Sequence, residues 1–209
     1  MSPAEMPHWE ETLRVTTADQ THALAAALGA ELQAGDLLVL TGELGAGKTT
    51  FTQGLGEGLG VRAGIISPTF VLVRIHPNLP DGTRPGGPDL VHVDAYRLGS
   101  ASEIDDIDLE NTLDSAVTVV EWGRGRVEHL SESRLEVDLH RAIGLEPVGL
   151  EPVGLEGAPD AAEREPNPAH TEILDFDTDD LDEPRTIVLR GFGPRWSTKP
   201  ALGAIEGTP

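Results

Sequence analysis

The segment from residue 42 to residue 49, GELGAGKT, constrains the fold of this chain more than any other feature. It matches the pattern G-x-x-x-x-G-K-[ST], in which the backbone N–H groups of a glycine-rich loop surround phosphate oxygens. In this pattern Lys48 reaches the β- and γ-phosphates, and the hydroxyl of Thr49 completes a magnesium shell. The segment therefore predicts a site for ATP and Mg²⁺. The expected nucleotide contacts are Gly42, Glu43, Gly45, Ala46, Gly47, Lys48, Thr49 and Thr50.

The residues on either side of this loop supply the secondary structure that phosphate binding requires. Residues 36 to 41 form a short apolar run bounded by turn residues, which is typical of a strand buried on both faces. Residues 49 to 59 have helical length and end at Gly60. A strand, a glycine-rich loop and a helix thus follow one another in the order that places phosphate at a helix N-terminus.

Two more segments have helical patterns. Residues 17 to 33 carry apolar side chains on one face, and Thr17 and Gln20 have the spacing of a capping box. Residues 100 to 113 place apolar side chains opposite an acidic side, which favours a second amphipathic helix. Helices are therefore expected both before and after the phosphate-binding loop.

The remaining strands are of two kinds. Residues 90 to 93 and 117 to 120 are continuous apolar runs, which favour buried parallel strands. Residues 135 to 139 alternate apolar and polar side chains, and residues 185 to 190 can pair with them as an antiparallel hairpin. Together the segments predict an α/β fold of the P-loop NTPase type. Its mainly parallel sheet would be flanked by helices and would end in a C-terminal antiparallel hairpin.

A long acidic segment interrupts that hairpin. Residues 141 to 184 contain a short GLEPV repeat, 13 acidic residues and 2 arginines, so they hold about half of the net charge of −21. With almost no aromatic residue they cannot bury enough surface to offset the entropy of ordering. We expect residues 1 to 140 to form an ATPase core, residues 141 to 184 a disordered insertion, residues 185 to 190 the final core strand, and residues 191 to 209 a flexible tail.

Charge and composition exclude several classes of function. With 36 acidic residues against 15 lysines and arginines, the chain is not expected to hold a nucleic-acid backbone by itself. The absence of cysteine excludes disulfides and thiolate metal sites. No apolar run reaches the length of a signal peptide or a membrane span, so we expect a cytoplasmic protein without membrane contact.

Three further residues are candidates for chemistry at the phosphates. Asp94 and Glu121 each directly follow a predicted buried strand, where a carboxylate can hold magnesium through water. Glu121 would either orient the attacking water or act as a second acidic group at the metal. Thr69, in a Ser-Pro-Thr turn after the P-loop helix, would contact phosphate or metal. His92 lies on a buried strand and is assigned no catalytic role, because such a histidine is more often a core residue.

Four motifs in this order strongly resemble the TsaE family, also called YjeE. They are GELGAGKTT at 42 to 50, SPTF at 67 to 70, HVDAYRL at 92 to 98 and VEW at 120 to 122. The resemblance covers about residues 13 to 140. That family is the ATPase subunit of the bacterial machinery that makes threonylcarbamoyladenosine at position 37 of tRNAs.

The resemblance implies a subunit that binds ATP and magnesium, hydrolyses ATP slowly alone, and acts with TsaD and TsaB. TsaD would transfer the modification, and this subunit would use hydrolysis to reset the complex between turnovers. Contact with tRNA would be indirect, through the complex.

By motif position, the resemblance also assigns site residues. Lys48 and Thr49 look like the phosphate and metal ligands, and Thr69 looks like the switch threonine. Asp94 is similar to the acidic residue after the second core strand, and Glu121 to the essential glutamate next to the metal. The resemblance thus implies Lys48, Thr69 and Glu121 as catalytic residues and Thr49, Asp94 and Glu121 as metal ligands.

Two places fit the family less closely. Thr17 and Ala18 lie where the family contacts the adenine end, although no motif fixes them. Many relatives continue VEW with proline and an acidic residue, whereas Gly123-Arg124-Gly125 follows here.

Two other functions are compatible with a P-loop. A small-molecule kinase would need arginines on a lid over the γ-phosphate, and the loops here are acidic or rich in glycine and proline. A nucleotide-gated binding module would use its conformation as output, with hydrolysis incidental.

Overall fold

The structure is a computed structural model that describes residues 6 to 141 and 183 to 202. In this part of the chain seven strands form one sheet: β1 (Trp9–Val15), β2 (Leu37–Gly42), β3 (Val73–His76), β4 (Asp89–Asp94), β5 (Ala116–Glu121), β6 (Arg134–Arg141) and β7 (Arg185–Phe192). The helices are α1 (Ala18–Glu31), α2 (Lys48–Leu59), α3 (Ala101–Asp105) and α4 (Glu110–Leu113), with short 3₁₀ turns at Glu128–Leu130 and Pro194–Trp196.

The strand order in the sheet is β1-β7-β6-β2-β5-β4-β3. The four central strands, β6, β2, β5 and β4, are parallel to one another. The outer strands pair antiparallel, and β6 and β7 pair along their whole length. The predicted α/β fold with a mostly parallel central sheet, and the predicted pairing of the last two strands, are both confirmed.

Parallel strands place all their carboxyl ends at one edge of the sheet. The P-loop leaves β2 at this edge, and Asp94 and Glu121 end β4 and β5 there. Because Asp94 pairs directly with Glu121 in the register of these two strands, the topology alone brings both carboxylates to the P-loop edge.

Apolar layers cover both faces of the sheet. On one face α1 and α2 contribute buried side chains such as Leu28, Phe51 and Leu55. On the other face, Ile104 and Leu113 pack against the sheet. The two long helices approach so closely that a Cβ on Gly54 would lie 2.3 Å from the carbonyl oxygen of His22. Gly54 and Gly58 of α2 therefore serve close helix packing, despite their cost in helix propensity.

The predicted start of α1 is confirmed. The Thr17 hydroxyl accepts a hydrogen bond from the Gln20 N–H at 3.1 Å, and the Gln20 side chain reaches back to the Thr16 N–H at 2.7 Å. Helix α2 ends at Gly60, which adopts a left-handed conformation with φ of 70°. These caps satisfy terminal backbone groups that the helices leave unpaired.

The single helix predicted for residues 100 to 113 is wrong, because the structure contains the two short helices α3 and α4 there. Between them Asp108 adopts a positive φ of 56°. Aspartate side chains compete for backbone groups in turns, and Asp105, Asp106 and Asp108 fall together at this point. The apolar positions still face the core, so their spacing indicated burial correctly and helix length incorrectly.

Two strands were not predicted. Strand β1 lies at one sheet edge and carries mostly polar, half-exposed residues, and β3 at the other edge has only four residues. Edge strands need little apolar surface, so their sequence signal is weak.

The expectation of a flexible tail from residue 191 is wrong for its first part. Strand β7 continues to Phe192, and Trp196 is only 1% exposed. The Trp9 indole N–H donates to the Trp196 carbonyl oxygen at 2.7 Å, which joins this segment to β1. The expected insertion lies mostly outside the described residues, since residues 142 to 182 are not described.

We therefore expect Trp196→Ala to lower the free energy of unfolding by about 3 to 5 kcal/mol, because it leaves a large cavity in the core. Ser197→Ala is the matched control, since Ser197 is exposed in the same segment. Urea unfolding followed by circular dichroism measures both. Equal midpoints for the two variants would contradict the burial of Trp196.

None of the helices in the described part of the chain has the length and apolar character that a membrane span needs.

Candidate active site

The loop between β2 and α2 has the backbone conformation that a phosphate cradle requires. Gly45 and Gly47 have positive φ values of 78° and 96°, which side chains with a Cβ rarely adopt. The first hydrogen bond of α2 runs from the Phe51 N–H to the Gly47 carbonyl at 2.8 Å. The N–H groups of Lys48, Thr49 and Thr50 belong to the first turn, which has no partner within the helix and favours an anion.

The other predicted loop contacts occupy different environments. The Glu43 side chain is exposed, whereas Ala46 is buried, and the Ala46 N–H donates to the Glu43 carbonyl at 3.1 Å. A Cβ on Gly42 would lie 2.6 Å from the Leu139 carbonyl oxygen, so the loop begins tightly against β6. Contact of these residues with a nucleotide stays a prediction.

Lys48 is buried in the centre of the site. Its Nζ donates to the carbonyl oxygens of Gly42 at 2.8 Å and Glu43 at 2.9 Å. It also lies 4.2 Å from the centre of the Trp122 ring. Burial lowers the pKa of Lys48 below its ordinary value, and the charges of Glu121 and Asp94 partly oppose this shift. The ammonium is thus held at the loop, close to both carboxylates.

Asp94 and Glu121 are each only 3% exposed. Asp94 Oδ1 accepts a hydrogen bond from the Tyr96 N–H at 2.9 Å, and Glu121 Oε1 lies 2.8 Å from His92 Nε2. Buried carboxylates this close together are costly unless cations or hydrogen bonds compensate them. Lys48 supplies one such compensation.

The turn at residues 67 to 69, predicted as a switch segment, contacts Asp94 directly. The Thr69 hydroxyl donates to Asp94 Oδ2 at 2.5 Å, and the Ser67 hydroxyl donates to the same oxygen at 3.2 Å. The structure thus brings together Thr69 and Asp94, which separate motifs had indicated. Thr49 is half-buried at the start of α2, and within the described residues its hydroxyl makes no hydrogen bond to either carboxylate.

The oxygen atoms at this edge of the sheet are suited to magnesium, which needs few protein ligands. The described residues contain no group of three or more histidine, aspartate or glutamate side chains that could hold a metal ion. Magnesium needs only one or two carboxylates and keeps several waters. Asp94 and Glu121, with the Thr49 hydroxyl at the start of α2, fit that requirement.

Thr17 and Ala18 lie at the same edge of the sheet as the P-loop. They follow β1, whose last residue Val15 pairs with Arg185 at the start of β7. The Thr17 hydroxyl caps α1, and Ala18 is the first residue of that helix. Their predicted contact with the adenine end stays a prediction.

Two arginines beside the P-loop were not predicted from the sequence. Arg141 and Arg185 pair directly across β6 and β7. Arg185 is 8% exposed, and its Nε would lie 3.5 Å from a Cβ on Gly47. The Arg141 Nη1 would lie equally close, 3.5 Å, to a Cβ on Gly45. The available signal was that both arginines border the acidic segment at the hairpin tip.

At the departure after VEW, β5 keeps its pairing with β2 up to its last residue. Trp122 has a positive φ of 62°, and its N–H donates to the Leu40 carbonyl at 3.0 Å. Arg124 reaches Glu136 and Asp138 on β6 at 3.0 and 2.5 Å. A cavity of about 300 Å³ beside Trp122 is lined by Thr41, Tyr96, Trp122, Arg124 and Arg126.

Comparisons with known proteins show the family of this chain. The family model described as threonylcarbamoyl adenosine biosynthesis protein TsaE matches residues 15 to 144. A Streptomyces coelicolor protein named tRNA threonylcarbamoyladenosine biosynthesis protein TsaE is 46% identical over 168 residues, covering 80% of this chain and 87% of that protein. A Bacillus subtilis protein of the same name is 38% identical over 130 residues, covering 62% of this chain and 77% of that protein.

A solved structure shows the same fold. The crystal structure of Bacillus subtilis YdiB superposes with a TM-score of 0.57 at 26% identity, covering 90% of this chain and 89% of that one. The family match spans the P-loop, the switch turn and both carboxylate-bearing strands. On these grounds the chain belongs to the TsaE family of threonylcarbamoyl adenosine biosynthesis proteins.

Proposed function

We propose that this chain binds ATP with Mg²⁺ and hydrolyses it during formation of N6-threonylcarbamoyladenosine in tRNA, acting with TsaD and TsaB to reset their complex between turnovers. The observation that carries the proposal is the position of Lys48, held at the loop carbonyls close to Asp94 and Glu121. The names of the curated relatives support the pathway.

In this proposal the phosphates lie in the P-loop. The first N–H groups of α2 and the Lys48 ammonium bind the phosphate oxygens. Thr49 and Asp94 hold Mg²⁺, which neutralises charge on the β- and γ-phosphates. Thr69 lies beside Asp94, where a switch residue senses the γ-phosphate. Glu121 orients the attacking water.

Residues at the start of β7 and after β1 complete the proposed nucleotide site. The Arg185 side chain next to Gly47 adds positive charge near the phosphates. Thr17 and Ala18 at the start of α1 border the adenine end. In this proposal the phosphates lie against α2 and the base lies toward β1.

An exposed apolar surface supports action with protein partners. Ile66, Phe70, Val71 and Tyr96 are all more than half exposed. Phe70 follows Thr69 in the chain, and the Tyr96 N–H binds the other Asp94 oxygen. Exposed apolar clusters of this kind mark interaction sites. A partner seated there would contact the same segments that contact the metal ligand, and tRNA would be reached only through the complex.

The test is ATP hydrolysis by the purified chain, alone and with TsaB and TsaD from its own organism. We expect slow hydrolysis alone and a rise of about tenfold or more with the partners, because they order the switch segment. Repeated tRNA modification by TsaB and TsaD without this chain would contradict the proposal.

The nucleotide-gated binding module stays an alternative, since Asp94 binds the same segments that carry the exposed apolar surface. It predicts that Glu121→Gln, which keeps ATP affinity, still supports tRNA modification over many turnovers. If hydrolysis resets the complex, the same variant supports no more than about one turnover per complex.

A further inference from the structure

His92 lies on β4, the strand that pairs with β5, and its side chain contacts Glu121. The His92 side chain is fully buried, and its Nε2 lies 2.8 Å from Glu121 Oε1. His92 and Asp94 are two residues apart on one strand, so their side chains share a face of the sheet. The imidazole is therefore packed among the groups at the P-loop edge without reaching solvent.

The proton on His92 is linked to the proposed role of Glu121. A carboxylate that orients water only accepts hydrogen bonds, so in this role Nε2–H donates to Glu121 across the 2.8 Å contact. His92 Nδ1 is buried and has no hydrogen-bond partner among the described residues. The ring of His76 is its aromatic neighbour, with centroids 6.3 Å apart. All hydrogen bonding by this imidazole is thus directed at Glu121.

We infer that His92 is a positioning residue for Glu121: its Nε2–H holds Oε1 so that the other carboxylate oxygen faces the P-loop. This inference rests on the proposed role of Glu121 in ATP hydrolysis. A buried carboxylate otherwise has several rotamers, and a catalytic group must be held within a narrow range of orientations. A fixed donor on the adjacent strand removes that freedom.

Two conservative variants separate positioning from simple space-filling. In His92→Gln the side-chain amide nitrogen occupies the place of Nε2 and can still donate to Glu121. In His92→Asn the amide nitrogen mimics Nδ1 instead, so the donor to Glu121 is lost. His92→Leu removes all polar atoms at similar volume, and His76→Gln is the matched control, because His76 is buried nearby without contacting Glu121.

The experiment measures kcat and KM for ATP in these variants and in Glu121→Gln. We expect His92→Asn and His92→Leu to lower kcat by about 10- to 100-fold with KM little changed, as for other residues that orient a site from behind. His92→Gln should recover most of kcat, and His76→Gln should match the wild type. Equal losses in the glutamine and asparagine variants would show a packing role and overturn the inference.

A second measurement does not depend on activity or on bound nucleotide. Long-range ¹H–¹⁵N spectra of the nucleotide-free protein report which nitrogen of each histidine carries the proton, and loss of a signal in His92→Gln assigns it. A proton on Nε2 supports the inference, and a proton on Nδ1 alone overturns it. If Glu121→Gln hydrolyses ATP normally, the proposed role of Glu121 fails and the inference falls with it. If Glu121→Gln loses ATP hydrolysis and the His92 variants keep it, the inference alone fails.

Discussion

Lys48→Ala is expected to abolish detectable ATP binding and to lower hydrolysis by about 100- to 1,000-fold or more, the scale of losing one preorganised charge-stabilising group. The reason is that Lys48 is held at the loop by the carbonyl oxygens of Gly42 and Glu43, where it meets the phosphates. Isothermal titration calorimetry and a phosphate-release assay measure the two effects.

Lys199→Ala is the matched control, because Lys199 is the other lysine of the chain and pairs with Glu11 at the surface. The control should bind and hydrolyse ATP like the wild type. Circular dichroism establishes that both variants fold. A folded Lys48→Ala protein with wild-type affinity for ATP would show that the P-loop is not the nucleotide site.

Glu121→Gln is expected to retain ATP binding while hydrolysis falls by about 100-fold or more, the usual range for loss of a general base. The substitution keeps the size of the side chain but removes its charge at the end of β5. Because Glu121 is buried beside Lys48, its carboxylate is suited to orient water and not merely to interact with solvent. Fluorescent nucleotide binding and single-turnover hydrolysis separate the two effects.

Glu110→Gln, at an exposed position on α4, controls for the loss of one negative charge from a strongly acidic chain. It should hydrolyse ATP normally. If Glu121→Gln loses binding and hydrolysis in equal proportion, Glu121 serves affinity, as a metal ligand does, and the attacking water is oriented by another group.

The contact between Asp94 and Thr69 was not predicted, although both residues were. Their hydrogen bond joins the switch turn to a predicted metal ligand. Separate motifs indicated the two residues, but their contact spans 25 positions in the chain. The antiparallel register of β3 and β4, which pairs Val73 with Val93, brings the turn before β3 to the end of β4.

Local patterns were sufficient for the parts of the fold whose signal lies in consecutive residues. The glycines and lysine of the P-loop, the Thr17 cap and the apolar runs of β2, β4 and β5 act through neighbours a few positions away. Local patterns were insufficient where polar residues form a strand or where turn-forming aspartates break a helix. Strand β1 and the division between α3 and α4 are the examples.

The sequence by itself determined the P-loop, the α/β class, the family and the identity of Lys48, Asp94 and Glu121 as candidates, because each depends on residue type and short spacing. The tertiary structure alone decided that Trp196 is part of the core, that Arg185 lies beside Gly47, and that His92 binds Glu121. These contacts join residues 29 to 187 positions apart. Strand register and layer packing create them, because both bring together elements that are far apart in the chain.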